Sequence, residues 1–509
     1  MKDLLLAIDQ GTTGSTALIM DLKGRTVAKA NVEFHQHFPR PGWVEHRGDE
    51  ILASVEAAVR QALAQVPSMI ERLAGIGITN QRETTLVWDR KTGVPIHNAI
   101  VWQCRRTADR CAALVADGKS AMVRERTGLV VDAYFSATKV AWILDEIPGA
   151  RDRADRGDLA FGTIDSFLVH HLTGGEVHAT DVTNASRTLL MNLHTLAWDD
   201  ELLALFRVPS AVLPRIVPSA GVVGVTKGLS YLPDGLPIAG IAGDQQAALF
   251  GQACFAPGEA KCTYGTGAFV LMNVGKTPVS SKNGLLTTVA WKIGDQVYYA
   301  LEGSAFIAGA AVQWLRDGLG LIQSAADVEA LARTVPDDGG VLFVPALAGL
   351  GAPHWDPDAR GLVVGLTRGS NKGHLARAVL EGIAMEVDDL LTAMANDAGQ
   401  PLTGLRVDGG AARNDLLMQL QADVGGVRVD RPKDIESTSR GAAMLAGVGL
   451  GLFSGDSSFN ESFQGVEAQV ARMIEADVSF VPRAPDAWRD GIRRRWTDAI
   501  RRARGPIEG

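Results

Sequence analysis

The sequence predicts an α/β protein built as two similar halves facing each other across a cleft, and three observations carry that prediction. The chain opens on a meander of short apolar strands, and strands then alternate with amphipathic helices. Near the midpoint a second strand–turn–strand echoes the first: Gly265 stands 254 residues after Gly11 (265 − 11 = 254) in a chain of 509. A repeat at half the chain length points to two related units.

The elements follow in order. Leu4–Asp9 is an apolar run that reads as a strand, with Gln10–Gly14 a turn and Ser15–Met20 the second strand. Asp21–Gly24 is another turn and Thr26–Val32 the third strand. From Asp49 to Val66, residues Ile51, Leu52, Val55, Ala58, Val59, Ala62 and Leu63 recur at helical spacing. Ala74–Thr79 reads as a strand and Gln103–Asp117 as a helix. The second meander comprises Cys262–Tyr264, a Gly265-Thr266-Gly267 turn and Ala268–Asn273, with helices expected at about Ser304–Asp317 and Gly373–Ala395. The tail from Ala487 to Gly505 is rich in arginine, but Asp490 and Asp498 are interleaved, so it reads as a solvated helix face.

Composition narrows the function. At roughly 100–200 residues per domain the chain holds two to four domains, or two large ones. Against 50 Lys+Arg stand 58 Asp+Glu, a formal charge of −8, which gives no electrostatic reason to expect nucleic acid or an anionic membrane as partner. Hydrophobic residues at 46% and charged ones at 21% exclude wholesale disorder. The 56 glycines, about 11% of the chain where roughly 7% is usual, point to tight turns and close backbone approach to a ligand.

Four cysteines are too few for a disulfide framework; Cys104 and Cys111, seven apart on the expected helix, read as small buried residues. His35–His37 and His170–His171 lack further ligands at zinc spacing. Only five apolar residues, Leu4 to Ile8, precede Asp9, too few for a secretory leader's apolar core. No apolar run has transmembrane length, so a soluble, cytoplasmic protein without membrane insertion is expected.

The common nucleotide loops are missing. Gly118-Lys119-Ser120 approaches a phosphate-binding P-loop, but Ala113 stands where its leading glycine belongs, and a helix precedes it where a strand is needed. Gly447-Val448-Gly449 lies in an apparent helix, so a dinucleotide fold is disfavoured as well. A different device remains: a hairpin turn of glycine and hydroxyl residues that points N–H and O–H groups at phosphate oxygens. Asp9-Gln10-Gly11-Thr12-Thr13-Gly14-Ser15 is such a turn, with Asp9 able to hold magnesium through water. Gly265-Thr266-Gly267 repeats the turn from the other half. In Leu405 to Asn414 a short strand runs into Gly409-Gly410 and then a helix, which suits the adenosine end of ATP. Pro237 to Ala248 ends a buried strand on Asp244-Gln245-Gln246, where Asp244 is either a site residue or the N-cap of the next helix.

These four segments together resemble the actin-like, sugar-kinase and heat-shock ATPase superfold. Within it the chain resembles the FGGY carbohydrate kinases, through Tyr134-Phe135-Ser136-Ala137-Thr138-Lys139-Val140-Ala141-Trp142-Ile143 and through Gly361-Leu362-Val363-Val364-Gly365-Leu366 followed by His374-Leu375 and Ala378-Val379-Leu380-Glu381. The likeness narrows to the members that act on glycerol at Pro41 to His46, Thr79 to Thr85, Trp102 to Thr107 and Gly243 to Gly251, and it extends over nearly the whole chain.

The resemblance implies two actin-like (ribonuclease H-like) domains, each a mixed five-stranded sheet flanked by helices, with the ATP cleft between them; the expected division is 1–247 and 248–509. It implies ATP-dependent phosphorylation of glycerol to sn-glycerol 3-phosphate, with ATP and Mg2+ as cofactors and a homodimer or homotetramer as assembly. Arg82, Glu83, Tyr134, Asp244 and Gln245 then meet the glycerol hydroxyls, and Trp102 and Phe269 cover its carbons. Asp244 is the general base. Thr12, Thr13, Gly14, Thr16, Thr266, Gly309, Gln313, Gly410 and Asn414 surround ATP, and Asp9 and Asp244 lie near the metal. Being adjacent, Arg82 and Glu83 would point to opposite faces of a strand, so a loop or bulge must aim both inward; outside this motif they read as an exposed ion pair.

Two departures stand out. The family usually ends its first phosphate turn on an arginine where this chain has Thr16, and Arg413 stands where a small residue is usual in the adenosine turn. Lys227 to Gly235 also lacks the Gly-Gly-Thr-Arg loop that binds fructose 1,6-bisphosphate in some relatives, and has no histidine for regulatory phosphorylation, so neither control is expected. Three other readings follow from the same features: a kinase for a longer polyol or ketose, a nucleotide-binding chaperone or filament module on the same superfold, and a catalytically dead metabolic sensor.

Overall fold

A computed structural model of the chain describes residues 2–66, 68–453, 463–474 and 476–504. In the first half β1 (Leu4–Gln10), β2 (Gly14–Asp21) and β3 (Thr26–Glu33) form an antiparallel meander, and β4 (Leu73–Asn80) and β5 (Pro237–Gly243) extend it in parallel from β1. In the second half β6 (Glu259–Tyr264), β7 (Ala268–Gly275) and β8 (Gln296–Ala305) are antiparallel, and β9 (Gly404–Asp408) and β10 (Val429–Pro432) extend them in parallel from β6. The strand orders, β3-β2-β1-β4-β5 and β8-β7-β6-β9-β10, are the same. The midpoint echo is therefore a repeat of topology.

The two five-stranded cores are not separate sheets. Ala220–Val225 adds to β5 and Leu286–Ile293 adds to β8, and these two strands meet through Ala220 and Ile293. Among the described residues a single thirteen-stranded sheet results.

Both faces of the first core are covered, which is why β1 is apolar continuously from Leu4 to Ile8 and not alternating. Leu4, Leu6 and Ile8 face the helices Gly48–Ala64 and Ile164–Leu172, while Leu5 and Ala7 face the helix Ser437–Gly449 from the other end of the chain. Glycines allow that approach. A Cβ at Gly77 would lie 2.0 Å from the Ala442 carbonyl oxygen, and one at Gly240 would lie 2.4 Å from the Ala446 nitrogen. The helix Asp244–Gly251 crosses Ser437–Gly449 just as closely: a Cβ at Gly441 would be 1.9 Å from the Ala247 carbonyl oxygen, and one at Gly251 2.1 Å from that of Ser437. The expected division after residue 247 falls inside this crossing helix.

Three expectations need correction. The helix expected at Gln103–Asp117 starts at Ala108 and ends at Ala116, so Cys104, though buried like Cys111, lies before it. Tertiary contacts hold the preceding turn: Arg106 stacks over Trp43 at 3.9 Å and donates to Glu45 at 2.6 Å. The helix expected from Ser304 starts at Gly309, because Ser304 and Ala305 still belong to β8 and pair with Phe269 and Ala268. The arginine-rich helix runs Asp486–Ala503 and buries Ile492, Trp496 and Ile500, while Arg493 and Arg495 pair with Asp388 and Asp338; Gly505 lies outside the described residues. No helix among the described residues is long and apolar enough to cross a membrane.

Candidate active site

β5 ends at Gly243 and a helix begins at Asp244. The cap position belongs to Gly243, so the N-cap reading of Asp244 fails; its Oδ1 accepts from the adjacent Gln245 N–H, at 2.7 Å, which is not a cap bond. The carboxylate is 31% exposed, and Arg82 Nε stands 3.1 Å from Oδ1. Gly243 makes room for that arginine, since a Cβ there would lie 2.7 Å from its Cγ and Cδ.

Arg82 and Glu83 lie in the loop after β4, and Glu83 has φ +60, a left-handed conformation rare outside glycine. This breaks the alternation of a strand, so both side chains turn inward, at 3% and 1% exposure. The loop that the sequence required is present, and the exposed-pair reading falls.

Two partners come from far away in the chain. Glu302 of β8 accepts from Arg82 Nη1 at 2.5 Å and from Nη2 at 2.9 Å. Arg187 donates from Nε to Glu83 at 2.6 Å and from Nη2 to Glu302 at 3.0 Å. Burial would raise the Glu302 carboxyl, but the guanidinium groups of Arg187 and Arg82 outweigh it and hold the group down at about 2. Burial pushes Glu83 up, and the same two arginines pull it back. Neither Arg187 nor Glu302 was singled out from sequence. The one available signal was a charge inside an apolar stretch, Tyr298 to Leu301 before Glu302 and Leu189 to Met191 after Arg187.

The remaining residues expected around glycerol gather here. Tyr134 meets Trp102 edge to face at 5.6 Å, and its hydroxyl lies 3.5 Å from Arg82 Nη2. Trp102 Nε1 donates to Thr12 Oγ1 at 3.0 Å, which ties the apolar wall to the first glycine turn. Phe269 is paired with Thr263 and Ser304, and its neighbours on the same sheet face include Lys261 and Glu302. Gln245 is engaged differently from expectation: its Oε1 accepts from the buried Lys261 ammonium. Lys139, from the first family signature, donates to the carbonyls of Tyr134 at 2.6 Å and Glu83 at 3.3 Å; burial lowers its ammonium to about 7.

The two glycine turns are built alike. Gly11 N–H donates to the Gly14 carbonyl at 2.9 Å, and Gly265 N–H to that of Gly267 at 2.8 Å. Gly14 and Gly267 each lie against the third strand of their meander, where a Cβ would come within 2.9 Å of the Val32 oxygen or 2.5 Å of the Ala305 oxygen. Thr13 and Thr266 are exposed at the turn tips and Thr12 is half-buried. The second turn is completed by the short helix Gly309–Gln313: Gly309 N–H donates to Gly265 at 2.9 Å and Ala310 N–H to Thr266 at 3.1 Å, with Gln313 exposed at the helix end. In the third segment Gly409 (φ +86) lies against the Tyr264 backbone and Gly410 faces open space. Asn414 caps the helix Asp415–Gly425 through Oδ1, 2.9 Å from Leu417 N–H. Thr16 pairs with Asp9 across the meander and accepts from Asn31 at 2.9 Å.

Asp9 accepts from Ser439 Oγ at 2.9 Å. Burial raises its carboxyl to about 7, and Asp244 and Glu436 add to the rise against the pull of Ser439 and Lys29. A buried carboxylate whose charge is disfavoured, with a second carboxylate near it, is a fitting partial shell for a hard divalent cation. No group of three His, Cys, Asp or Glu side chains with metal-binding geometry occurs among the described residues, so the other ligands would be phosphate oxygens and water.

Comparison with known proteins finds matches over both halves of the chain. The family model described as the N-terminal domain of the FGGY family of carbohydrate kinases matches residues 4–251, and that of the C-terminal domain matches 260–450. The chain is 55% identical to a glycerol kinase from Symbiobacterium thermophilum, over 99% of each chain, and 55% identical to one from Myxococcus xanthus, over 98% of this chain and 99% of that one. Among solved structures it is similar to a Plasmodium falciparum glycerol kinase solved with ADP, with TM-score 0.91, 35% identity and 98% of each chain covered. A xylulose kinase from Lactobacillus acidophilus, 22% identical with TM-score 0.85 over 98% of this chain and 97% of that one, shares the fold. Matched in both halves and over its length, the chain belongs to the FGGY family of carbohydrate kinases.

Proposed function

We propose that this protein phosphorylates glycerol with ATP, giving sn-glycerol 3-phosphate and ADP, and that Asp244 is the general base. The observation that carries the reading is the buried Arg82–Glu83 pair beside a half-exposed Asp244, in a chain 55% identical to glycerol kinases. Arg82, Glu83, Tyr134 and Asp244 supply charged and hydroxyl groups for three hydroxyls, with Gln245 close by, and Trp102 and Phe269 supply the apolar wall. The Trp102 indole and the Tyr134 phenol, edge to face beside these charged groups, suit three carbons better than a longer sugar.

Asp244 takes the proton of the terminal hydroxyl as that oxygen attacks the γ-phosphorus in line. General-base help of this kind gives ~10²–10⁴ in rate. Positioning and electrostatic stabilisation of the transferring group contribute the rest. Thr12, Thr13, Gly14 and Thr16 form one side of the nucleotide site and Thr266, Gly309, Gln313, Gly410 and Asn414 the other. Asp9 and Asp244 would hold Mg2+, which would neutralise phosphate charge. Division into domains at residues 247 and 248, assembly as a homodimer or homotetramer and a cytoplasmic location belong to the same reading.

The test is ADP release from ATP·Mg2+ with glycerol, xylulose, gluconate or no acceptor, alongside Asp244→Asn. Strong turnover with glycerol alone, lost in Asp244→Asn while ATP still binds, is the expected result. Turnover only with a larger sugar would overturn the pocket, and full activity of Asp244→Asn would overturn the base.

A further inference from the structure

Arg82 sits between two carboxylates that compete for it. Its terminal nitrogens form a two-pronged contact with Glu302, at 2.5 and 2.9 Å, and only the Nε edge is left for Asp244, at 3.1 Å. An arginine beside a carboxylate ordinarily closes on it with two parallel bonds, the strongest geometry it has. Here that geometry is given to Glu302. Arg187 holds Glu302 in turn at 3.0 Å and also holds Glu83 at 2.6 Å, and both arginines and both glutamates are at most 3% exposed. The charges of these four groups balance one another.

Resting on the reading of Asp244 as base, we propose that Glu302 is a positioning residue for phosphoryl transfer: backed by Arg187, it occupies the head of the Arg82 guanidinium and so keeps Arg82 from closing over the Asp244 carboxylate. With the Glu302 charge removed, the carboxylates left near Arg82 are Glu83, 3.9 Å away and already bonded to Arg187, and Asp244. The guanidinium then turns to Asp244, covers the proton acceptor and abandons the glycerol hydroxyls. Glu302 comes from β8, the strand that precedes the helix Gly309–Gln313, whereas Arg82, Glu83 and Asp244 belong to the first half. The base is thus kept free by a residue of the opposite half.

The experiment measures steady-state kinetics against glycerol and ATP for the full chain, Glu302→Gln, Arg82→Ala and the double variant, with ATP binding by calorimetry. Glu302→Gln is expected to lower kcat/KM for glycerol about 10²-fold, as for other misplacements of a reacting group, with KM and Kd for ATP unchanged. In the Arg82→Ala background the same substitution is expected to cost nothing more, because its effect passes through Arg82. Equal losses in both backgrounds, or loss of ATP affinity in step with turnover, would overturn the positioning role. Should Glu302→Gln not fold, Glu302→Asp keeps the charge on a shorter arm: a glycerol-specific loss supports the role, and none overturns it. An unmodified protein inert toward glycerol would instead sink the substrate reading and this proposal with it.

Discussion

Replacing Gly441 by alanine adds one methyl group at the crossing of the helices Ser437–Gly449 and Asp244–Gly251. The new Cβ would stand 1.9 Å from the Ala247 carbonyl oxygen and 3.0 Å from the Gly251 nitrogen, where ordinary contact starts near 3.4 Å. The helices must part by about 1.5 Å (3.4 − 1.9). Neither side can yield by a rotamer change, because both contacts are backbone. Overpacking a filled core costs typically 1–3 kcal/mol, and a backbone-to-backbone clash belongs at about 3 kcal/mol. The displaced helix starts with Asp244, and a shift of about 1 Å at a reacting group costs on the order of 10²-fold in rate. Gly441→Ala is therefore expected to lower both the thermal midpoint and kcat, although residue 441 touches no proposed substrate. Scanning calorimetry and the ADP-release assay read the two effects. Gly491→Ala is the control, since a Cβ there meets nothing within 4 Å and alanine favours the helix by up to about 1 kcal/mol. If Gly441→Ala matches the parent in midpoint and kcat, the rigid crossing is the wrong picture.

Glu381, buried in the helix Lys372–Ala398 and held by Arg377 at 2.9 Å, has its carboxyl raised from 4.5 to about 7, chiefly by burial. Its stabilising contribution is present below the unfolded value and lost as pH rises through about 7, a span worth roughly 3 kcal/mol. Glu381→Gln should thus gain on the parent in melting midpoint between pH 5.5 and pH 8; a constant difference would refute this. Lys139→Met removes the ammonium donor from the Tyr134 carbonyl, about 1–3 kcal/mol, while the Glu83 carbonyl keeps the Thr85 and Ser136 hydroxyls; it should raise KM for glycerol more than KM for ATP. Arg413→Ala should raise KM for ATP about fivefold or less, the scale of one exposed ion contact; an unchanged KM removes Arg413 from the nucleotide site. Added fructose 1,6-bisphosphate should leave the rate unchanged, and inhibition would show that the segment Lys227 to Gly235 binds it after all.

What could be read in the sequence follows the range of the physics. The turn at Gly11 to Gly14 and its copy at Gly265 to Gly267 were legible because glycine beside hydroxyl residues is local chemistry, and β1 to β4 end within a residue or so of the apolar runs. The need for a loop at Arg82-Glu83 could be deduced from strand alternation, although the left-handed φ at Glu83 could not. Glu302 and Arg187 stayed hidden because their partners lie 220 and 104 residues away, and no local pattern marks a buried ion pair. The segment from Ser304 reads as a helix by its small residues, yet pairing with Phe269 and Ala268 outweighs that weak preference. Gly77, Gly240 and Gly441 carried no signal alone, since each is required by a backbone from another part of the fold.

The helix Ser437–Gly449, lying on the sheet of the opposite half, has a consequence for how this protein comes into being. The strands it covers are complete once Gly243 has been made, but Gly449 follows 206 residues later (449 − 243 = 206). At about 5–20 residues per second on the ribosome, the Leu5, Ala7 and Ala239 face waits roughly 10–40 s for its cover. During that interval the nascent first half carries an open apolar surface, a natural substrate for a chaperone. A fragment ending at the boundary between the halves would keep that surface permanently, and should be recovered as aggregate or chaperone complex.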